Sequence, residues 1–122
     1  LGRRSDVPEL LAAADVVVQT SRWEGQPLVI QEALALGCVI VATDVGGTRE
    51  VTGDAAVLVP YGEPAVLATA ISDLLDDSRN APARVSRALR RAAELPGTDD
   101  VLNQLLHVYA LDGLEAHQRR VG

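Results

Sequence analysis

Val16-Val17-Val18, the polar stretch Thr20 to Gln26, Pro27-Leu28 through Leu36-Gly37, and then Val39-Ile40-Val41-Ala42 form the segment whose reading decides the fold. The unbroken β-branched run Val16-Val17-Val18 and the apolar run Val39 to Ala42 fit buried parallel strands, the first covered on both faces. Between them, Pro27 is suited to open a helix and Gly37 to stop one, so the spacing predicts a helix over Leu28 to Leu36. Strand, helix and strand in this order make a βαβ crossover, which is right-handed in nearly all folds.

Upstream, Asp6 followed by Val7-Pro8 predicts an N-cap and a first helical turn. Val7, Leu10, Leu11 and Ala14 recur at helical spacing as one apolar face, and Asp15 ends it. Downstream come a loop from Thr43 to Thr48, a short helical turn over Arg49 to Thr52, and a third strand, Ala56-Val57-Leu58-Val59, closed by Pro60. After Pro64 only helical patterns follow. Val66, Leu67, Ala70, Ile71, Leu74 and Leu75 mark one amphipathic face, Ala81 to Leu95 is arginine-rich, and a last helix runs from about Asp99 toward His117 with Val101, Leu102, Leu105, Leu106 and Tyr109 on one side. The expected fold is α/β, a Rossmann-like parallel sheet with flanking helices. It divides into an αβ core over 1–78 and C-terminal helices over 79–122. Three strands are few for such a sheet, the chain holds no methionine, and Leu1-Gly2 reads as the end of a strand already under way. The expectation is therefore an N-terminally incomplete domain, a piece of a longer protein.

The composition removes several chemistries. All eleven basic residues are arginine, and Schiff-base, pyridoxal-phosphate, P-loop and protein-kinase chemistry each need a lysine. A phospho-acceptor receiver domain also uses one at its acidic pocket. The single cysteine, Cys38, can build neither an internal disulfide nor a thiolate zinc site, and its apolar setting predicts a buried, inert thiol. A net charge of −6 argues against a nucleic-acid partner. No apolar run approaches twenty residues, so no spanning helix is expected in the 122 residues.

In open α/β sheets, ligands bind beyond the carboxyl ends of the strands. Two loops lie there on one edge, Ser21-Arg22-Trp23-Glu24-Gly25-Gln26 and Asp44-Val45-Gly46-Gly47-Thr48. The first leads into a helix whose initial N–H groups lack partners, a seat for phosphate. Glu24 stands before that helix and Glu32 eight positions on, roughly 12 Å at the helical rise per residue. Carboxylates accept hydroxyl hydrogen bonds from vicinal diols, so the spacing suits a sugar at Glu24, a diphosphate at the helix start and a ribose at Glu32. From spacing alone a second reading stays open, with Glu24 favouring the helix dipole and Glu32 a surface residue.

The run Ala14 to Val18 with Ser21, then Glu24-Gly25-Gln26-Pro27-Leu28-Val29-Ile30-Gln31-Glu32-Ala33, then Gly37 and Val41 to Glu50, resembles the second, donor-binding domain of GT-B retaining glycosyltransferases of the Glu-x7-Glu group (glycosyl transferases group 1). The resemblance spans Leu1 to about Leu75, and the last helix more loosely. It implies that Glu24 contacts the transferred sugar near the reacting centre and acts catalytically, that Glu32 holds the ribose diol, and that amides at Leu28 and Val29 touch the diphosphate. Gly25 and Gln26 of the first loop are expected to bind the substrate as well. Gly46 and Gly47 sit nearby, serving either ligand contact or the turn alone. Two departures are visible: Gln26-Pro27 stands where many members have an aromatic residue and then glycine, and Val39 replaces a common proline.

The resemblance further implies a nucleoside-diphosphate sugar as donor substrate, no cofactor and no metal, and a cytoplasmic enzyme. Its acceptor-binding domain and the basic pair that neutralises the leaving diphosphate would lie upstream of Leu1, so the isolated chain is expected to be inactive, and any peripheral membrane contact would come through the full-length protein. The alternative is a non-catalytic, stand-alone module that binds a nucleotide or a protein. His107 and His117 fall on different helix faces and predict no metal site. Arg84, Arg87 and Arg91 share a face expected to be solvated. Trp23 is open to two roles, wall of a sugar pocket or packing under its loop, and Arg22 is a secondary candidate for a phosphate.

Overall fold

Three short parallel strands organise the chain. The computed structural model describes residues 2–97, 99–105 and 107–108. In chain order these form α1 (Val7–Ala13), β1 (Val17–Gln19), α2 (Leu28–Ala35), β2 (Ile40–Thr43), α3 (Thr48–Thr52), β3 (Ala56–Val59), α4 (Pro64–Asp76), a 3₁₀ turn (Ser78–Asn80) and α5 (Ala81–Glu94). Residues 99–105 are also helical. The sheet order is β1-β2-β3, parallel throughout, with Val17 opposite Ile40 and Ile40 opposite Ala56. This is the Rossmann-like α/β arrangement that the alternation of elements predicts.

Successive side chains of a strand point to opposite faces, and the two faces of this sheet differ. Val17, Ile40 and Ala42 pack into one core with Ile30, Ala33 and Leu34 of α2, Val51 of α3 and Ala88 of α5. On the other side, α4 lies against β2 and β3 and buries none of its residues fully. Val41 is shielded in the centre, whereas its register partners Val18 and Val57 are 42% and 38% exposed. The expectation that the Val16-Val17-Val18 run is covered on both faces is therefore corrected. β1 starts at Val17 and is an edge strand among the described residues, and Val18 is left exposed on it.

Several local expectations change for identifiable reasons. Asp6 flanks α1 without a side-chain capping bond, because Arg4 engages its carboxylate, with Nε donating to Oδ1 at 2.8 Å. That contact holds the Asp6 carboxyl below the usual range. Of the α1 face, only Leu11 packs on the core; Leu10 is exposed. Gly37 does stop α2, at φ +73°, with its N–H donating to the Leu34 carbonyl at 3.0 Å. Cys38 is buried as expected; its thiol donates to the Leu11 carbonyl at 3.3 Å, and desolvation pushes its pKa up. Leu106, Tyr109 and His117 lie outside the described residues.

The arginine-rich helix is the largest correction. Its basic face is not simply solvated, because α5 buries Ala88 against the core and its arginines reach α3, the turn after it and the end of α4. Arg84 donates to the Asp77 carbonyl at 2.9 Å and pairs with the Asp77 carboxylate, whose pKa is held down first by Asn80 and then by Arg84. Arg87 lies 3.6 Å from Asp54. Arg91 donates from Nη2 to the Glu50 carbonyl at 2.6 Å and from Nε to the Val51 carbonyl at 2.9 Å. These carbonyls belong to the last turns of α3, where a helix leaves acceptors unpaired and negative. A planar guanidinium meets two such oxygens with donors already fixed in place, whereas an ammonium is a compact point charge on a flexible stem. Arg91→Ala should therefore lower the unfolding free energy by about 2–3 kcal/mol, in the range of hydrogen bonds from charged donors, and Arg91→Lys should recover only part of it. Urea unfolding of the three proteins measures both effects.

Candidate functional site

Both candidate loops leave the carboxyl ends of adjacent strands, so parallel pairing of β1 and β2 brings them side by side. Contact between them is direct. The Gly47 N–H donates to the Glu24 carbonyl at 3.0 Å, and Thr43 Oγ1 at the end of β2 donates to the Ser21 carbonyl at 2.6 Å. Gly46 and Gly47 make this approach possible. A Cβ added at Gly46 would stand 1.8 Å from the Glu24 carbonyl oxygen, and one at Gly47 would stand 1.9 Å from that of Gly25. Gly46 also adopts φ +50°, the left-handed region that glycine enters freely. The glycine pair thus does more than turn the chain: it lets one backbone lie on another.

Glu24 is half-buried at this junction. Its Oε1 accepts from both Gln19 Nε2 and Ser21 Oγ, while Gln19 Nε2 also donates to Ser21 Oγ at 3.1 Å. Gln19 and Thr43 were not singled out by sequence reasoning. The available signal was a lone amide ending a β-branched strand, and a threonine ending the next, both at the edge where ligands gather.

α2 begins immediately beyond the loop. Pro27, buried, is its N-cap rather than its first helical residue, and contributes no side-chain capping bond. The Gln31 N–H is the first to close back, onto the Pro27 carbonyl at 3.2 Å. The amides of Leu28 and Val29 therefore stand outside the helical ladder, with both side chains exposed around them. Glu32 is exposed one turn further on. Residues 24–27 are not helical, so the helical rise covers only the four steps from Leu28 to Glu32, about 6 Å, and loop geometry sets the rest of the Glu24–Glu32 separation.

Trp23 does not pack under its loop; it is 76% exposed, with its ring edge against Gly25. A crevice of about 230 Å³ next to the loops is lined by Gly25, Gln26, Gly47, Glu50, Arg91 and Glu94, among others. Arg22 is exposed, and Arg49 pairs with Asp44 across the second loop, which raises the Arg49 pKa. Among the described residues no cluster of His, Cys, Asp or Glu could hold a metal ion, and no helix is long and apolar enough to cross a membrane.

Residues 1–77 match the glycosyl transferases group 1 family. The chain belongs to that family. Among its relatives, D-inositol 3-phosphate glycosyltransferase of Streptomyces avermitilis is 37% identical over 111 residues, covering 89% of this chain and 24% of that protein. The crystal structure of Anabaena Alr3699/HepE in complex with UDP-glucose matches with a TM-score of 0.82 at 31% identity, over 90% of this chain and 31% of that one. Sucrose-phosphate synthase from Thermosynechococcus elongatus matches with a TM-score of 0.77 at 28% identity, over 87% and 27%. The chain thus spans about a quarter of the length of the curated D-inositol 3-phosphate glycosyltransferases it matches. Such matches support the GT-B family fold.

The loop contact yields a sharp expectation. Gly47→Ala should cost on the order of 2–3 kcal/mol, because its new methyl meets backbone that cannot move aside as a side chain could. Gly62→Ala is the control: Gly47 stands at an ordinary φ of −81°, whereas Gly62 requires a positive φ, +83°, but its Cβ meets nothing within 4 Å. It should lose only about 1 kcal/mol from left-handed strain. Denaturant midpoints of the two variants measure the difference.

Proposed function

We propose that this chain is the donor-binding half of a retaining glycosyltransferase, moving a hexosyl unit from a nucleoside-diphosphate sugar to an acceptor hydroxyl. One observation carries the reading: a carboxylate anchored at the carboxyl edge of the sheet, Glu24, stands directly before the free amides that open α2. Phosphate and carboxylate would repel, but a sugar between them satisfies both, with its hydroxyls on the acid and its diphosphate on the amides. The neighbouring structure with UDP-glucose bound supports the same class of donor.

In this reading Glu24 accepts hydrogen bonds from hydroxyls of the transferred sugar. The amides of Leu28 and Val29 take the diphosphate, and Glu32 takes the ribose diol. Gly25 and Gln26 shape the loop, and Gly46 and Gly47 hold it in place. During transfer the bond between the anomeric carbon and the diphosphate oxygen breaks, and its electron pair leaves with the diphosphate. The acceptor oxygen bonds to the same face of the carbon and gives up its proton to the departing diphosphate oxygen. Positive charge develops at the anomeric carbon and negative charge at the leaving oxygen, so a fixed carboxylate beside the sugar and oriented N–H dipoles beside the phosphate both lower the barrier. The acceptor-binding domain and further cationic groups for the leaving diphosphate belong to a longer protein, and the isolated chain is inactive.

Kinetics of the full-length enzyme separate the two glutamates. Ribose bonds are alike in ground and transition states, so Glu32→Ala should raise the donor KM by about ten- to a hundredfold with kcat little changed. Glu24→Gln keeps the shape and removes the charge, and should lower kcat on the order of a hundredfold. An intact kcat for Glu24→Gln together with an abolished kcat for Glu32→Ala would contradict both assignments.

A further inference from the structure

We propose that Gln19 and Ser21 are positioning residues that lock Glu24 by one carboxylate oxygen and thereby present only the other, Oε2, to the donor sugar. The inference rests on the donor-binding reading above. A free glutamate side chain samples many rotamers and must be ordered when ligand arrives. Here that ordering is already done. Gln19 ends β1, and its register partner is Ala42 in the centre of the sheet, so its amide starts from a rigid element. Its Nε2 donates to Glu24 Oε1 and to Ser21 Oγ; the Ser21 hydroxyl donates to the same Oε1; and the Ser21 carbonyl is held by Thr43 Oγ1.

The chemistry of the three groups admits one sense. Glu24 as a carboxylate only accepts, so the Gln19 amide must turn its NH₂ toward it, and the serine must spend its proton on it. Reversing the amide would set a carbonyl oxygen against the carboxylate. The Gln19 oxygen is accordingly left buried without a partner, a cost tolerated for the orientation of the other end. Two of the roughly four acceptor directions of the carboxylate are filled on Oε1. Oε2 takes no hydrogen bond from the described residues, and Glu24 is partly open to solvent. An acceptor fixed before the sugar binds needs no reorganisation as charge develops at the anomeric carbon. Gln19 and Ser21 therefore act on turnover through Glu24 and touch neither nucleotide nor sugar.

The test uses the full-length enzyme with UDP-glucose and GDP-mannose as donors, and UDP and GDP as nucleotide probes. Ser21→Ala and Gln19→Met, which keeps length and volume while removing the amide, are made singly and in the Glu24→Gln background. Each single change should lower kcat about tenfold with donor KM within about twofold of wild type, and nucleotide affinity by calorimetry should not move. In the Glu24→Gln background the same changes should cost less than about twofold more, because the group they position has already lost its charge. Unchanged kcat in the single variants, losses that multiply in full with Glu24→Gln, or nucleotide affinity falling along with kcat would each overturn the proposal. If Gln19→Met does not fold, Ser21→Ala alone decides by the same criteria. A wild-type enzyme that binds none of the four probes overturns the donor-binding reading and this inference together; one that turns over normally beside unaffected variants overturns the inference alone.

Discussion

Everything near the candidate site depends on two stretches of backbone touching where no side chain intervenes. The Gly47 N–H meets the Glu24 carbonyl, and the Cβ positions of Gly46 and Gly47 are already filled by carbonyl oxygens of the first loop. Because the contact is between backbones, its geometry cannot relax by a rotamer change. It ties the loop after β1 to the segment that enters α3, and the two parallel strands fix the other ends of both. Glu24 inherits its position from this junction, and α2 starts three residues after the joined segment. Displacing the junction would therefore move the acid and the helix amides together.

The junction has its own support. α3 is only five residues long, too short to hold itself by its ladder. Arg91 gathers its closing carbonyls, and Ala88 on the same helix, fully buried, anchors α5 to the core. The route from α5 to the first loop thus runs through three kinds of interaction: packing at Ala88, a guanidinium on helix-end carbonyls, and a glycine-lined backbone contact. An acidic chain that uses only arginine as its base gains here from the planar, multi-donor head group.

The order of elements was legible because its signals are local. β-branched runs, Pro27 and Gly37 each act on their own few residues, and the helix and strands they predict are present within a residue or two. What stayed hidden depends on distance in sequence. Val18 looks like core in its run, but its exposure goes with the place of β1 at the edge of the sheet among the described residues. Arg84 and Arg91 look like a wetted face by periodicity, but their partners at Asp77, Glu50 and Val51 are up to 41 positions away. The candidate glutamates were legible as a spaced pair. Gln19 was not, because one amide at a strand end acquires meaning only when the chain has turned back and set Glu24 beside it. The glycine pair was half legible: its small size was plain, but the carbonyls it makes room for were not.

The central claim is that Glu24, the first amides of α2 and Glu32 form one continuous donor site. A crystal structure of the full-length protein with an intact nucleoside-diphosphate sugar tests it most directly. The account predicts sugar hydroxyls within hydrogen-bond distance of Glu24 Oε2, diphosphate oxygens on the Leu28 and Val29 amides, and the ribose diol on Glu32, with the loop contact at Gly47 unchanged. A donor whose diphosphate lies instead on Arg22 or Arg49, with Glu24 facing solvent, would contradict it.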